Sequence, residues 1–317
     1  MASLKASNIL IFGATGFIGT FITEKIIAAQ PAFNHITIFT SANTVKSKGE
    51  LLDKWKKAGN VTVITGDVDS EADVSAAYRD HNVDTVISAF GRGAIAKQIE
   101  LLRWADKSGT VKWFFPSEYG TDIEYGRQSK DEKPHQQKLK VRKFIREEVR
   151  NVQVTYVVTG PYFESWVGRP EGIDLGTGFD VAKKEAWLVE ADGKIGFTTM
   201  PDVGKLVVAA LQHPGAAAGK ALKVNSFEVT PNQVLAEYEK QTGAEKWNVN
   251  HITLDQFRQE EKRRCEECHA KATVLTLRRI WAEGGTLYDT TDNEAIGVKP
   301  SDTESLEVIL KRILGGQ

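Results

Sequence analysis

A chain of 317 residues, 41% of them hydrophobic and 27 of them glycine, is long enough to bury one large core or two ordinary ones and is too apolar to be disordered. A net charge of −1 excludes a nucleic-acid binder or a membrane-surface protein held by global charge, and two cysteines exclude a disulfide framework, so a reducing cytoplasm is the expected setting. No apolar run approaches the roughly 20 residues of a membrane span, and Met1-Ala2-Ser3-Leu4-Lys5 lacks the order of a secretory signal.

In chain order, strands are predicted at residues 9–12, 36–40, 61–65, 85–88, 111–115 and 152–158, with helices such as 17–29 and 94–107 between them. This alternation predicts an α/β fold on a doubly wound parallel sheet, with ligands beyond the carboxyl ends of the strands. After Gly160 the rhythm breaks. Segments 174–178 and 191–194 are turn-rich, and helices are predicted at 203–212, 231–241, from 254 to about 282, and 301–314. The expected organisation is a dinucleotide-binding domain over residues 1–160 and a smaller substrate-binding region over 161–317. A strand near 221–225 has the option of rejoining the main sheet.

Gly13-Ala14-Thr15-Gly16-Phe17-Ile18-Gly19 follows the first strand and opens a helix with the spacing G-x-x-G-x-x-G. Glycines here permit a tight turn and close backbone approach to a pyrophosphate, and the helix N-terminus offers free N–H groups to phosphates. A turn that merely packs is the plainer alternative. Gly13, Thr15, Gly16, Phe17 and Ile18 are the candidate cradle.

Sites that prefer NADH place an acid at the end of the second strand, roughly 20 residues on. Here that place holds Phe39-Thr40-Ser41, with Lys46 and Lys48 following. Thr40, Ser41 and the two lysines therefore point to NADPH (NADP+ when oxidised) through its 2′-phosphate, unless the lysines are solvated loop charges. Asp67 ends the third strand, within reach of an adenine edge. Ser88-Ala89-Phe90, Pro116-Ser117-Glu118 and Pro161-Tyr162-Phe163 end the fourth, fifth and sixth. Each is compatible with ordinary turn chemistry; their recurrence on one edge favours a shared crevice.

A helix predicted from Pro134 to 149 carries Val141, Ile145 and Val149 on one stripe, and Lys138 falls in line with them. Either the lysine snorkels to water, or its ammonium reaches the crevice to hold a ribose hydroxyl and relay a proton. His135, one turn earlier, is either a polar residue near a helix start or a proton donor in the same pocket. A Tyr-x-x-x-Lys pair is absent at Tyr119 and Tyr125.

The glycine turn, Val111-Lys112-Trp113-Phe114-Phe115-Pro116-Ser117-Glu118-Tyr119-Gly120 and Lys138-Leu139-Lys140-Val141-Arg142-Lys143 together resemble the isoflavone reductase-like, NmrA-like group of atypical short-chain dehydrogenases. The resemblance implies a Rossmann-type fold, NADPH, a catalytic lysine at Lys138, and reduction of a small aromatic or conjugated metabolite by a monomer or homodimer. It departs at Thr40, where the family often has arginine, at Tyr119, where it has phenylalanine, and at His135, where it tends to have phenylalanine. Some NmrA-like proteins instead bind dinucleotide without turnover as redox sensors, which is the alternative reading.

Cys265-Glu266-Glu267-Cys268-His269 spells a haem-attachment motif, but both cysteines are expected on one helix face with no further ligands nearby, so no metal site is predicted. Trp113, Trp166 and Trp187 are candidates for an aromatic substrate pocket, with core packing the alternative.

Overall fold

The computed structural model describes residues 4–29, 32–170, 173 and 175–316; Met1 to Ser3 and Asp174, used above, lie outside the described residues. Strands β1 (Asn8–Phe12), β2 (His35–Thr40), β3 (Val61–Thr65), β4 (Thr85–Ser88), β5 (Trp113–Phe115) and β6 (Gln153–Val154) form one parallel sheet in the order β3-β2-β1-β4-β5-β6. Ile9, Leu10, Ile11 and Phe12 are all buried, so this strand shows the unbroken apolar run of a sheet covered on both faces. β1 has β2 on one side and β4 on the other, with Phe12 level with both Phe39 and Ser88. The order reverses there, and a crevice opens at the aligned carboxyl ends.

Where the sequence predicts one strand over 152–158, the ladder changes partner at Thr155. Its buried hydroxyl donates to the Ala217 carbonyl at 2.7 Å and accepts from Trp113 Nε1 at 2.9 Å. Beyond it, Tyr156–Val158 pairs in parallel with Ala221–Lys223 as a separate two-stranded ladder.

Helices cover both faces. On one, the Gly19–Ala28 helix packs against Met200–Gln212, and the core joins Ile9, Ile11, Ile22 and Ile26 to Val203, Leu206 and Val224. Residues from both sides of position 160 therefore share this core. On the other, Leu10, Phe12, Tyr78, Leu101, Val141 and Phe144 pack together.

Among its described residues, the later region holds five short strands that sequence patterning did not predict. Glu185–Val189 lies between Gly178–Asp180 and Asn248–Ile252, and Ile195–Phe197 pairs with Phe227–Val229. Asn248-Val249-Asn250-His251-Ile252 is polar and largely exposed, so it gives no strand signal.

The single helix expected from 254 to about 282 is two, Leu254–Glu266 and Ala272–Ala282. Between them Cys268 takes φ +52°, and the His269 N–H closes onto the Arg264 carbonyl at 2.9 Å. Cys268 therefore sits past the helix end, which corrects the expectation of two cysteines on one helix face. Among the described residues no helix is long and apolar enough to cross a membrane.

Candidate functional site

Two cavities lie at the carboxyl ends of the strands and share Phe90 as a common wall. The first, about 540 Å³, is lined by Gly13, Thr15, Phe39, Thr40, Ser41 and Asp67 among others. The second, about 420 Å³, runs past Phe17, Ile18, Glu118, His135, Lys138 and Tyr162. The glycine turn contributes to both.

Gly13 has φ +74°, and a Cβ there would lie 2.6 Å from the Ala89 carbonyl oxygen, so no other residue fits without moving the backbone. The Gly16 N–H closes the turn onto the Gly13 carbonyl at 2.9 Å. The following helix has no side-chain cap at Ile18, and its Thr20 N–H donates to the Gly16 carbonyl at 3.0 Å, which holds the turn against the helix start. A phosphate-bearing ligand suits this cradle. Thr40, Ser41 and Asp67 stand at the far end of the first cavity, where Ser41 also caps the Ala42–Ser47 helix through Thr44 N.

Some expected contacts are made elsewhere. Lys46 and Lys48 are exposed and line neither cavity; the wall beside Ser41 is made by Asn43 and Thr44. Ser88 and Pro116 are buried behind the crevice wall, with Ser88 Oγ 3.3 Å from Ser117 Oγ. Ser117 itself reaches the cavity wall and fixes it, accepting from Phe90 N at 2.5 Å and donating to the Ser88 carbonyl at 2.9 Å. Ala89 and Pro161 line the second cavity, whereas Phe163 is fully buried among Trp166, Phe197 and Phe227.

Lys138 lies in the first turn of the Gln136–Glu148 helix, and its Nζ donates to the Glu118 carbonyl. Burial pushes its pKa down to about 8; the Glu118 carboxylate opposes this, while Arg92 and Arg142 add to it. Four residues on, Arg142 is buried and donates from Nε to Glu118 Oε1 at 3.0 Å and from Nη1 to Glu124 Oε2 at 2.8 Å. Its guanidinium also stacks over Tyr156, 4.5 Å from the ring centre. One helix face thus carries an ammonium into the cavity and a guanidinium that holds the strand-end turn supplying the ammonium's acceptor.

His135 is buried at the cavity wall. Its Nδ1 meets the Ser129 carbonyl at 2.9 Å, and Nε2 has no partner among the described residues. A carbonyl can only accept, so Nδ1 carries the proton. Burial holds the imidazole pKa below its ordinary value, with the Ser129 bond opposing and Lys138 reinforcing the shift. The unprotonated nitrogen is therefore Nε2, which is buried.

The second cavity is roofed by the Ala272–Ala282 helix through Val274, Leu277, Arg278 and Trp281. Trp281 Nε1 donates to Thr121 Oγ1 at 2.7 Å. The candidate tryptophans lie elsewhere. Trp113 is core beside Phe115, Trp166 packs against Phe197, and Trp187 lies under Arg169 at 3.7 Å. Trp281, Arg278, Arg142 and Arg92 are wall or support residues that sequence reasoning missed. Positions 274, 277, 278 and 281 form a helical stripe, which is the signal that was there to read.

A model of the NmrA-like family matches residues 5–269 of the chain. An isoflavone reductase homolog from Zea mays is 32% identical over 251 residues, covering 77% of this chain and 76% of that one. A phenylcoumaran benzylic ether reductase from Ginkgo biloba is 28% identical over 249 residues, covering 75% of this chain and 76% of that one. Among solved structures, the complex of leucoanthocyanidin reductase with NADPH from Vitis vinifera has the same fold. Its TM-score is 0.76 at 19% identity, over 97% of this chain and 99% of that one.

Proposed function

The chain belongs to the NmrA-like family, and on that premise we propose that it is an NADPH-dependent reductase acting on a small aromatic or conjugated metabolite. The observation that carries this is the placing of Lys138 Nζ in the wall of the second cavity, which adjoins the glycine turn. The Ginkgo biloba relative is a phenylcoumaran benzylic ether reductase and the Zea mays relative an isoflavone reductase homolog, which supports the substrate class.

Gly13, Thr15 and the N-terminus of the Gly19–Ala28 helix would hold the pyrophosphate of the dinucleotide. Thr40 and Ser41 would hold the 2′-phosphate end, Asp67 the adenine side, and Lys138 a ribose hydroxyl. When bound, NADPH supplies the hydride. The chain supplies the rest: apolar walls at Ile18, Phe90, Leu277 and Trp281 exclude water from the reacting centre. Lys138, charged below about pH 8, donates a proton to the reduced substrate from a position fixed by the Glu118 carbonyl. His135 stands in the wall beside Lys138 as the second candidate for proton handling. We take the setting to be the cytoplasm and the working form to be a monomer or homodimer.

The test is NADPH and NADH consumption with a panel of aromatic enones, ketones and benzylic ethers. Turnover with NADPH is expected, and Lys138→Ala should lower kcat by about 10²–10⁴ while NADPH still binds. A protein that binds NADPH and oxidises it with none of the panel favours the dinucleotide-sensor reading instead.

A further inference from the structure

Of the five large apolar side chains that stand exposed among the described residues, two line the second cavity: Phe17, 67% exposed, and Val274, 36%. Val45, Leu287 and Val308 line neither cavity, and single apolar side chains in contact with water are ordinary on a protein surface. Two at the mouth of one cavity mark a place where something apolar is meant to sit. The more exposed of the two belongs to the glycine turn.

The turn enforces this exposure. A Cβ at Gly19 would run into the Gly13 carbonyl oxygen, and one at Gly13 into the Ala89 carbonyl, so the backbone between them has no room to shift. Within it Ile18 is 8% exposed and joins the core beside Ala14 and Ile22, which leaves its neighbour Phe17 facing outward. Gly13, Ala14 and Thr15 line the first cavity, whereas Phe17 lines the second. The Phe17 backbone therefore belongs to the dinucleotide cradle and its ring to the other chamber.

Contacts connect that ring to Lys138. It meets the Tyr162 ring at 6.2 Å between centres, tilted by 45°. The Tyr162 hydroxyl donates to the Tyr119 carbonyl, and the carbonyl one residue earlier, that of Glu118, accepts from Lys138 Nζ. Phe17, Tyr162 and Lys138 thus stand along one continuous wall, and Val274 and Leu277 of the Ala272–Ala282 helix supply an apolar roof. A space of about 420 Å³ admits a small molecule and excludes a folded partner.

We propose that Phe17 is a specificity-determining residue, its ring the platform on which an aromatic ring of the substrate stacks beneath Val274 and Leu277. This rests on the reductase reading above and deepens it: the substrate must carry an aromatic ring at the cavity mouth as well as a reducible bond near Lys138. Covering Phe17 removes apolar surface from water, and contact between two π-faces favours a flat aromatic group over a saturated ring of similar size.

The probes are benzylideneacetone and its cyclohexyl counterpart, the same enone with an aromatic or a saturated ring, titrated calorimetrically into NADP+-saturated protein. NADPH binding is measured first by nicotinamide fluorescence; its absence removes the reductase reading itself. With NADPH binding intact, benzylideneacetone is expected to bind about three- to tenfold more tightly than the cyclohexyl enone. Phe17→Leu should bring that ratio to about one, Phe17→Tyr should retain it, and the affinity for NADPH should stay the same in both. A side chain this exposed can be replaced without unfolding the chain. A ratio near one in the wild type, failure of benzylideneacetone to bind at millimolar concentration, or an undiminished ratio in Phe17→Leu overturns the proposal. So does a loss of NADPH affinity in Phe17→Leu as large as the loss for the enone, which would give the ring to the nicotinamide instead.

Discussion

Lys138 stands half-buried four residues before the buried Arg142, and its lowered pKa has consequences that run in opposite directions with pH. With its pKa lowered to about 8, Lys138 in the folded chain releases its proton before the same lysine does in the unfolded chain. Between about pH 8 and the ordinary lysine value the unfolded state therefore binds more protons, and stability rises with pH across that window. Urea unfolding of the apoprotein should show this rise, and Lys138→Met should flatten it. Activity goes the other way. If the ammonium donates the proton, kcat falls as pH rises through about 8, and Lys138→Arg moves that limb out of range; a limb unchanged in the arginine variant would assign the proton elsewhere. The lysine was legible as a cation on an apolar stripe. Arg142 was not, because its burial depends on Glu118 and Glu124, which are distant in sequence and brought to it by the sheet.

At the scale of elements, the roof helix is held down by side chains from both ends of the site. Arg279 Nη2 donates to Glu132 at 2.7 and 2.8 Å, and Glu132 is the N-cap of the short turn that carries His135. The same guanidinium binds Glu261 through Nε at 2.6 Å, which ties the two helices of the pair together. Arg279→Met should raise the substrate KM several-fold and leave the NADPH dissociation constant unchanged, since no residue of the first cavity touches this network; an equal loss in both would mean that the fold itself had loosened. Elsewhere Gly204 lets Met200–Gln212 approach the first helix, and a Cβ there would lie 2.6 Å from Lys25 Cγ and closer still to the Phe21 backbone. Gly204→Leu should cost about 1–3 kcal/mol or more by overpacking, read from chemical denaturation. The long helix was legible here and its break was not. Leu254 to Ala282 is rich in good helix formers, and the interruption is made at Cys268, a residue with no preference for the left-handed region.

For the whole molecule, the division at residue 160 has a physical test. The face of the sheet beneath the Gly19–Ala28 helix is covered by Val203, Leu206, Val207 and Ala210, and the sheet edge at Tyr156–Val158 is paired with Ala221–Lys223. A fragment ending at Gly160 leaves that face and edge bare. It should lack a cooperative unfolding transition, whereas the full chain should unfold cooperatively and gain thermal stability when NADPH is added. A fragment that folded and bound NADPH by itself would show that the later helix and strand are accessories.

The sequence alone determined the parallel sheet, the glycine turn at its centre and the position of the lysine, because these depend on periodicity and on what a backbone permits at one place in the chain. The tertiary structure decided what no local pattern contains. It set which strand-end residues face the crevice (Thr40, Asp67, Tyr162) and which lie behind it (Ser88, Pro116, Phe163), and it left Lys46 and Lys48 outside. It also decided which proton His135 keeps, through a carbonyl six residues away, and which tryptophan covers the cavity. A side chain's direction and charge state follow from its neighbours in space, and those are fixed only once distant segments have packed.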